Sequence, residues 1–237
     1  MARGFIDGEY TDGELRGLGF LAGERGMGKT TEMARLLDQC AGGALFYDTL
    51  GKHGKLLRGY TVIRQPGELK RYLIPNRERR FRIRYVPAVQ WGDQEAQQTA
   101  HLRAVCTIVA ALGRMIFAID EVDQFCGSEW GDKRMPPELY DLAHYGRHYP
   151  IGWEDRGERI GGVSMLVTAR DPVTLSIKFR SQCGSFRIFR TTEEAYMKFF
   201  GSRIGKANTA RLSSLPQYQY LFWQAGTSEA RVCGGRR

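Results

Sequence analysis

Gly23-Glu24-Arg25-Gly26-Met27-Gly28-Lys29-Thr30 fits G-x-x-x-x-G-K-[ST], and the spacing has a chemical reading. Gly23, Gly26 and Gly28 allow backbone angles that a Cβ forbids, so successive N–H groups can turn inward and cradle phosphate oxygens. Lys29 is set to reach the β- and γ-phosphates, and Thr30 to offer its hydroxyl to Mg²⁺. In a chain with 29 glycines a chance match is the alternative. The flanks decide against it. Leu18-Gly19-Phe20-Leu21-Ala22 reads as a short buried strand, and Thr31 to Cys40 puts Met33, Leu36 and Leu37 on one helical face. A strand entering the loop and a helix leaving it form the context a phosphate-binding loop needs. Nucleotide binding falls to Gly23, Glu24, Arg25, Gly26, Met27, Gly28, Lys29, Thr30 and Thr31.

Outward from there, Arg114-Met115-Ile116-Phe117-Ala118-Ile119-Asp120-Glu121 is the second informative stretch. Five apolar residues ending in Asp-Glu form the Walker B pattern, a buried strand that delivers two carboxylates to its carboxyl end. Asp120 is expected to hold the Mg²⁺ hydration shell and Glu121 to polarise the attacking water as general base. Such a run by itself often only starts a helix. About ninety residues beyond a glycine loop, with room between for intervening strands and helices, it gains its specific meaning.

The remaining chain supplies the scaffold. Residues 1–14 read as a polar arm or an edge strand, and 15–237 as one domain with a surface loop or hairpin inserted at 151–160. Ala44 to Asp48 reads as a strand, followed by a basic loop, Lys52-His53-Gly54-Lys55, that suits either DNA contact or a solvated turn. In Arg80 to Val86 the alternation has period two, with Phe81, Ile83 and Tyr85 inward. Arg80, Arg82 and Arg84 then line the other face, for phosphates, for a neighbouring subunit, or as charge guarding an edge strand. Gly92 to Leu112 reads as a helix capped by Asp93, with Ala96, Ala100, Ala104, Ile108 and Leu112 as its apolar stripe; His101 is given no role. Gly162 to Arg170 and Ser185 to Phe189 read as further strands, Arg187 and Arg190 punctuating the latter, with Asp171-Pro172 starting a helix between them. Thr192 is expected to cap the next helix. Leu215 to Trp223 reads as a strand that opens a closing hairpin.

Composition bounds the partners. Net charge is +9, and 27 of the 35 basic residues are arginine, whose planar fork suits phosphates and subunit interfaces. A polyanionic partner is the favoured reading over mere solubility. Five scattered cysteines without a C-x-x-C pair point to reduced thiols, with neither a disulfide framework nor a zinc site. The charged stretch Met1 to Asp12 is no signal peptide, and the longest apolar runs, such as Thr107 to Leu112, are too short to span a bilayer.

The ordered set of GERGMGKT, IDEVDQF, a helix ending YGRH, LVTARDP, FRIFRTTE and LSSLPQYQYLFW resembles the FtsK/HerA branch of P-loop motor ATPases. Within it, the set is most similar to genome-packaging ATPases of tailless, membrane-containing double-stranded DNA viruses. The resemblance spans roughly residues 15–225. It implies a RecA-like α/β domain with a mostly parallel sheet and helices on both faces. It implies ATP with Mg²⁺ at Lys29, Thr30 and Asp120, and hydrolysis by Glu121. It also implies a γ-phosphate sensor at the end of the strand after Walker B. The branch often reads Thr-Gln-Arg-Pro there, whereas this chain has Thr168-Ala169-Arg170-Asp171-Pro172, so sensing falls to Thr168 or Arg170. An arginine finger given in trans matches Arg147, with Arg156 and Arg159 as rivals; the plainer reading of Arg147 is a cation at a helix end. The implied partners are double-stranded DNA, held through phosphates, further copies of the chain in a ring, a hexamer, and viral vertex or capsid proteins. The implied place is the host cytoplasm or the virion. Two other readings remain: a transposition or replication helper ATPase that binds DNA without moving it, and a P-loop nucleotide kinase.

Overall fold

The computed structural model describes residues 17–40, 42–89, 94–127, 135–146, 154–155, 158–159, 162–169, 173, 175–227 and 229–234. In chain order the elements are β1 (Leu18–Ala22), α1 (Lys29–Gln39), β2 (Gly43–Tyr47), β3 (Thr61–Ile63), α2 (Pro66–Asn76), β4 (Arg82–Tyr85), α3 (Gln94–Leu112) and β5 (Met115–Ile119). There follow α4 (Asp123–Cys126), α5 (Pro137–Tyr145), β6 (Glu154–Asp155), β7 (Glu158–Arg159), β8 (Val163–Thr168), α6 (Ile177–Arg180) and β9 (Cys183–Phe189). The chain closes with α7 (Glu194–Ile204), α8 (Lys206–Leu212), β10 (Gln219–Gln224) and β11 (Ala230–Gly234).

Nine strands make one sheet in the order β11-β10-β9-β1-β8-β5-β2-β4-β3. From β9 to β3 every pairing is parallel. β10 runs antiparallel to β9 and β11 to β10, which is the closing hairpin expected at the C-terminal end. β6 and β7 pair with each other inside the 151–160 segment.

Strands covered on both faces read as unbroken apolar runs, and here they sort into two cores by alternation. Ile83, Leu45, Phe117, Met165 and Leu18 lie in register across the sheet and pack under α2, α3, α5 and α7. Ala44, Phe46, Ile116, Ala118 and Leu166 face the other way, under Met33, Leu36 and Leu37 of α1. Each such large side chain taken from water contributes roughly 1.5–3 kcal/mol. The parallel pairing brings Ala22, Tyr47, Ile119 and Thr168, the last residues of β1, β2, β5 and β8, to one edge, and the loops leaving them meet there.

Four local expectations are corrected. α3 buries Leu102, Val105, Cys106 and Val109, while Ala96 and Ala100 are exposed: larger side chains outcompete a ladder of alanines for the core. β4 does bury Phe81, Ile83 and Tyr85, but it is an interior strand with β3 outside it. Its arginines are engaged within the chain. Arg80 donates to the Asp38 carbonyl, and Arg82 donates to those of Asp38, Cys40 and Gly42, groups at the C-terminal end of α1, whose last turn has no basic residue of its own. Leu215 to Tyr218 precedes the strand and forms a turn instead of starting β10. Thr192 does not cap α7 through its side chain; it bonds to Glu24. The arm 1–14 and the residues Asp93 and Asp171-Pro172 lie outside the described residues.

Candidate active site

At the carboxyl edge the chain leaves β1 through Gly23 (φ 135°), Gly26 (φ 80°) and Gly28 (φ 107°), angles that a side chain resists. Gly28 opens α1, so the loop's amides and the positive end of the helix dipole address one spot. Lys29 Nζ folds back over the loop and donates to the carbonyls of Gly23 (2.6 Å) and Glu24 (3.0 Å). A cleft of about 620 Å³ lies against this loop, also lined by Asp120, Glu121, Thr168 and His53.

Asp120 is its centre. The carboxylate is buried, and Oδ1 accepts from the hydroxyls of Thr168 (2.7 Å) and Thr30 (3.3 Å). Burial alone pushes its pKa up, but the bonds from His53, Thr168 and Thr30 and the His53 charge hold it below the usual carboxylate range. His53 is the mirror case. Burial disfavours its imidazolium, yet Asp120 at 2.7 Å and the nearby Asp48 raise its pKa above the ordinary value. Thr168 joins the two Walker B residues, since its hydroxyl also accepts the Glu121 amide at 2.8 Å. Glu121 itself sits at φ 53°, an uncommon conformation for a glutamate that aims it off the strand end, and Gln124 Nε2 donates to its Oε2 at 2.8 Å. Thr30 and Asp120 thus present oxygen donors to one point beside the glycine loop, a set that fits a hard divalent cation such as Mg²⁺.

Residues beyond the sequence reading complete the cleft. Gln217 Nε2 donates to the Gly26 carbonyl (2.8 Å) and the Tyr218 amide to that of Met27 (3.0 Å), so the turn before β10 braces the glycine loop. The Tyr218 ring lies so close over Gly28 that a Cβ there would stand 2.5 Å from its Cδ1. Glu24 Oε1 accepts from the Thr192 amide (2.7 Å) and hydroxyl (2.8 Å), and those bonds, with the Arg190 charge, lower its pKa against the small effect of burial. Under α1, Glu32 accepts from Tyr220 (2.8 Å) and Arg35 (2.7 Å), while the fully buried Arg187 brings its Nε to 3.7 Å. Nothing in the sequence assigns His53, Tyr218 or Glu32 to the cleft or its support; the pairing of distant strands brings them in. Arg147, Arg156 and Arg170 lie outside the described residues, and Arg159 is described only through the backbone of β7.

No protein-family model matches the chain, and no curated protein does. Solved structures do. The genome packaging NTPase B204 from Sulfolobus turreted icosahedral virus 2, in complex with ATP-gammaS, superposes with a TM-score of 0.65 at 13% identity, over 92% of this chain and 96% of that one. B204 from Sulfolobus turreted icosahedral virus, a DNA-packaging ATPase, gives 0.64 at 13% identity over 94% and 100%. VirB4 of Thermoanaerobacter pseudethanolicus gives 0.63 at 9% identity over 92% and 89%. The chain has the fold of the FtsK/HerA-type P-loop ATPases. In this P-loop ATPase fold β8 separates the glycine-loop strand β1 from the Walker B strand β5, which is what allows Thr168 to stand between Thr30 and Glu121. No helix among the described residues is long and apolar enough to cross a membrane.

Proposed function

We propose that this chain is an ATP-hydrolysing motor that drives double-stranded DNA, working as a hexameric ring of identical subunits that fills a viral shell. The observation that carries the reading is the convergence of Thr30, Asp120, Thr168 and Glu121 on one cleft beside the glycine loop. The likeness in fold to packaging NTPases along nearly the whole chain supports DNA as the cargo.

Mg²⁺, when bound, neutralises charge on the β- and γ-phosphates. Lys29 and the amides of residues 24–31 hold the phosphate chain, and Thr30 and Asp120 hold the metal. Glu121 orients the attacking water and takes its proton, while Thr168 keeps Asp120 and the Glu121 amide in register. Thr168 or Arg170 senses the γ-phosphate. Arg147 completes the neighbouring subunit's site, with Arg156 and Arg159 as rivals for that role. DNA is held through its phosphates by Lys52 and Lys55 of the loop after β2, so binding is independent of sequence and weakens steeply with salt. The work is done in the host cytoplasm, at the vertex of the shell.

The test is ATP hydrolysis by wild type and Arg147→Ala, with and without duplex DNA, with Glu121→Gln subunits mixed in at rising ratio. Stimulation by DNA, loss of activity in Arg147→Ala and poisoning out of proportion to the dead subunits are expected. Hydrolysis indifferent to DNA and declining only by dilution overturns the motor.

A further inference from the structure

The loop between β2 and β3 is fastened at both ends and touches the catalytic centre in the middle. At its start, buried Asp48 accepts the amides of Lys52 (Oδ1, 3.2 Å) and His53 (Oδ2, 3.0 Å). Arg84 of β4 holds the same carboxylate at 2.8 Å and donates to the Gly51 carbonyl at 2.8 Å. At its end, Leu57 and Tyr60 enter the core beneath α1, and the Tyr60 hydroxyl donates to Asp38 at 2.8 Å. Between these anchors His53 reaches Asp120 Oδ2 at 2.7 Å, and Thr49 donates to the Asp120 carbonyl at 2.7 Å. Lys52, Lys55 and Arg58 are exposed, and Lys52 also lines the cleft beside His53.

Both oxygens of the Asp120 carboxylate are thereby engaged. Oδ1 serves Thr168 and Thr30, and Oδ2 serves His53. A metal beside Thr30 brings its own water protons, which compete with His53 for Oδ2. His53 stands between Lys52 and Lys55 on one short loop, so a re-aimed imidazole would be felt by them through the loop backbone, with Asp48, which holds the Lys52 and His53 amides, as the fixed end. We infer that His53 is a positioning residue that couples metal–nucleotide occupancy of the cleft to the basic loop 52–58, so that a polyanion on the loop and nucleotide at the P-loop change each other's affinity. The inference rests on the motor reading and supplies its linkage. Reciprocity is required by thermodynamics: the factor by which nucleotide alters DNA binding equals the factor by which DNA alters nucleotide binding.

The experiment is a binding cycle that needs no turnover. The dissociation constant of a fluorescent 30-base-pair duplex is measured alone, with saturating ATP-gammaS plus Mg²⁺, and with ATP-gammaS in a chelator, for wild type, His53→Ala, His53→Gln and Lys55→Ala/Arg58→Ala. Wild type is expected to show a change of about 5–150-fold with ATP-gammaS plus Mg²⁺, and a smaller one in the chelator. His53→Ala brings the ratio toward one, and His53→Gln, which keeps a donor, lies between. The Lys55/Arg58 variant weakens the duplex at every condition and lowers the salt slope, and its ratio shrinks with the loop contacts that carry the coupling. A ratio unchanged in His53→Ala overturns the inference, as does a wild type that binds duplex without regard to nucleotide; in both cases DNA binding itself survives. A wild type that binds no duplex overturns the motor reading and this inference together.

Discussion

Two loops of the sheet's carboxyl edge meet at Asp120, residues 23–28 from one side and residues 48–60 from the other. The first works with backbone: three glycines at positive φ turn amides inward, and its side chains mostly brace it from outside, as Glu24 does against Thr192. The second works with side chains, since Asp48, Thr49 and His53, with Arg84 of β4 behind them, tie the loop's amides and carbonyls to the sheet edge and to Asp120. A backbone device tolerates no change at its glycines but demands little of its neighbours. A side-chain device can be retuned one residue at a time.

The largest expected effect falls where both loops point. Glu121→Gln keeps the size and the Gln124 contact but removes the base, so hydrolysis should fall about 10²–10⁴-fold while ATP-gammaS still binds. Parallel measurements of turnover and nucleotide affinity check it. Equal loss of both would mean that the residue holds nucleotide instead of activating water, and the comparison of holding loops with a reacting centre would fail.

Next comes the foundation of the glycine loop. Glu32→Ala removes the carboxylate 3.7 Å from the buried Arg187 and the acceptor of the Tyr220 hydroxyl. Breaking a buried charge pair from one side costs about 3–5 kcal/mol, readable in urea unfolding. The corresponding change under the other loop is Asp48→Asn. It keeps one acceptor oxygen for two amides and weakens the Arg84 pair, at about 1–3 kcal/mol. Hydrogen exchange should speed at Lys52 and His53 and stay slow in α1. Faster exchange in α1 as well would mean that the two loops rest on one foundation.

How far the sequence spoke differs between the loops for the same reason. Positive φ leaves glycines behind, so residues 23–28 are legible without any knowledge of the fold, and an apolar run ending in Asp120-Glu121 carries its own direction. His53 leaves no such mark. In Lys52-His53-Gly54-Lys55 it reads as one more basic residue of an outward turn, and only the pairing of β2 with β5 sets it against Asp120. Arg82 misled in the same way: its alternation in β4 is real, but what it faces is the carbonyl-rich end of α1. Arg187 obeys the alternation of β9 and is nonetheless fully buried, because Glu32 and the Phe222 ring, 5.1 Å from its guanidinium, come from elements far along the chain. Local pattern gives the face of a residue; its partner comes from topology.

The smallest effect expected is also the one with a definite sign in pH. Glu24 ties the glycine loop to the segment after β9 through Thr192 and Arg190, and its pKa is lower in the folded chain than in the unfolded one. A group depressed by folding binds fewer protons in the native state, so its stabilisation is present above the unfolded value, about 4.3, and fades as the pH falls through the lower folded value. Glu24→Gln keeps an acceptor oxygen and removes the charge. Melts of wild type and variant from pH 7 down to pH 3 should therefore show a modest gap at neutral pH that closes on acidification. A gap that stays constant would mean that the Thr192 bonds alone brace the loop and the carboxylate charge adds nothing. In that event the glycine loop would be a backbone device without electrostatic help from its rim, and the contrast with the Asp48 loop would be sharper than drawn above.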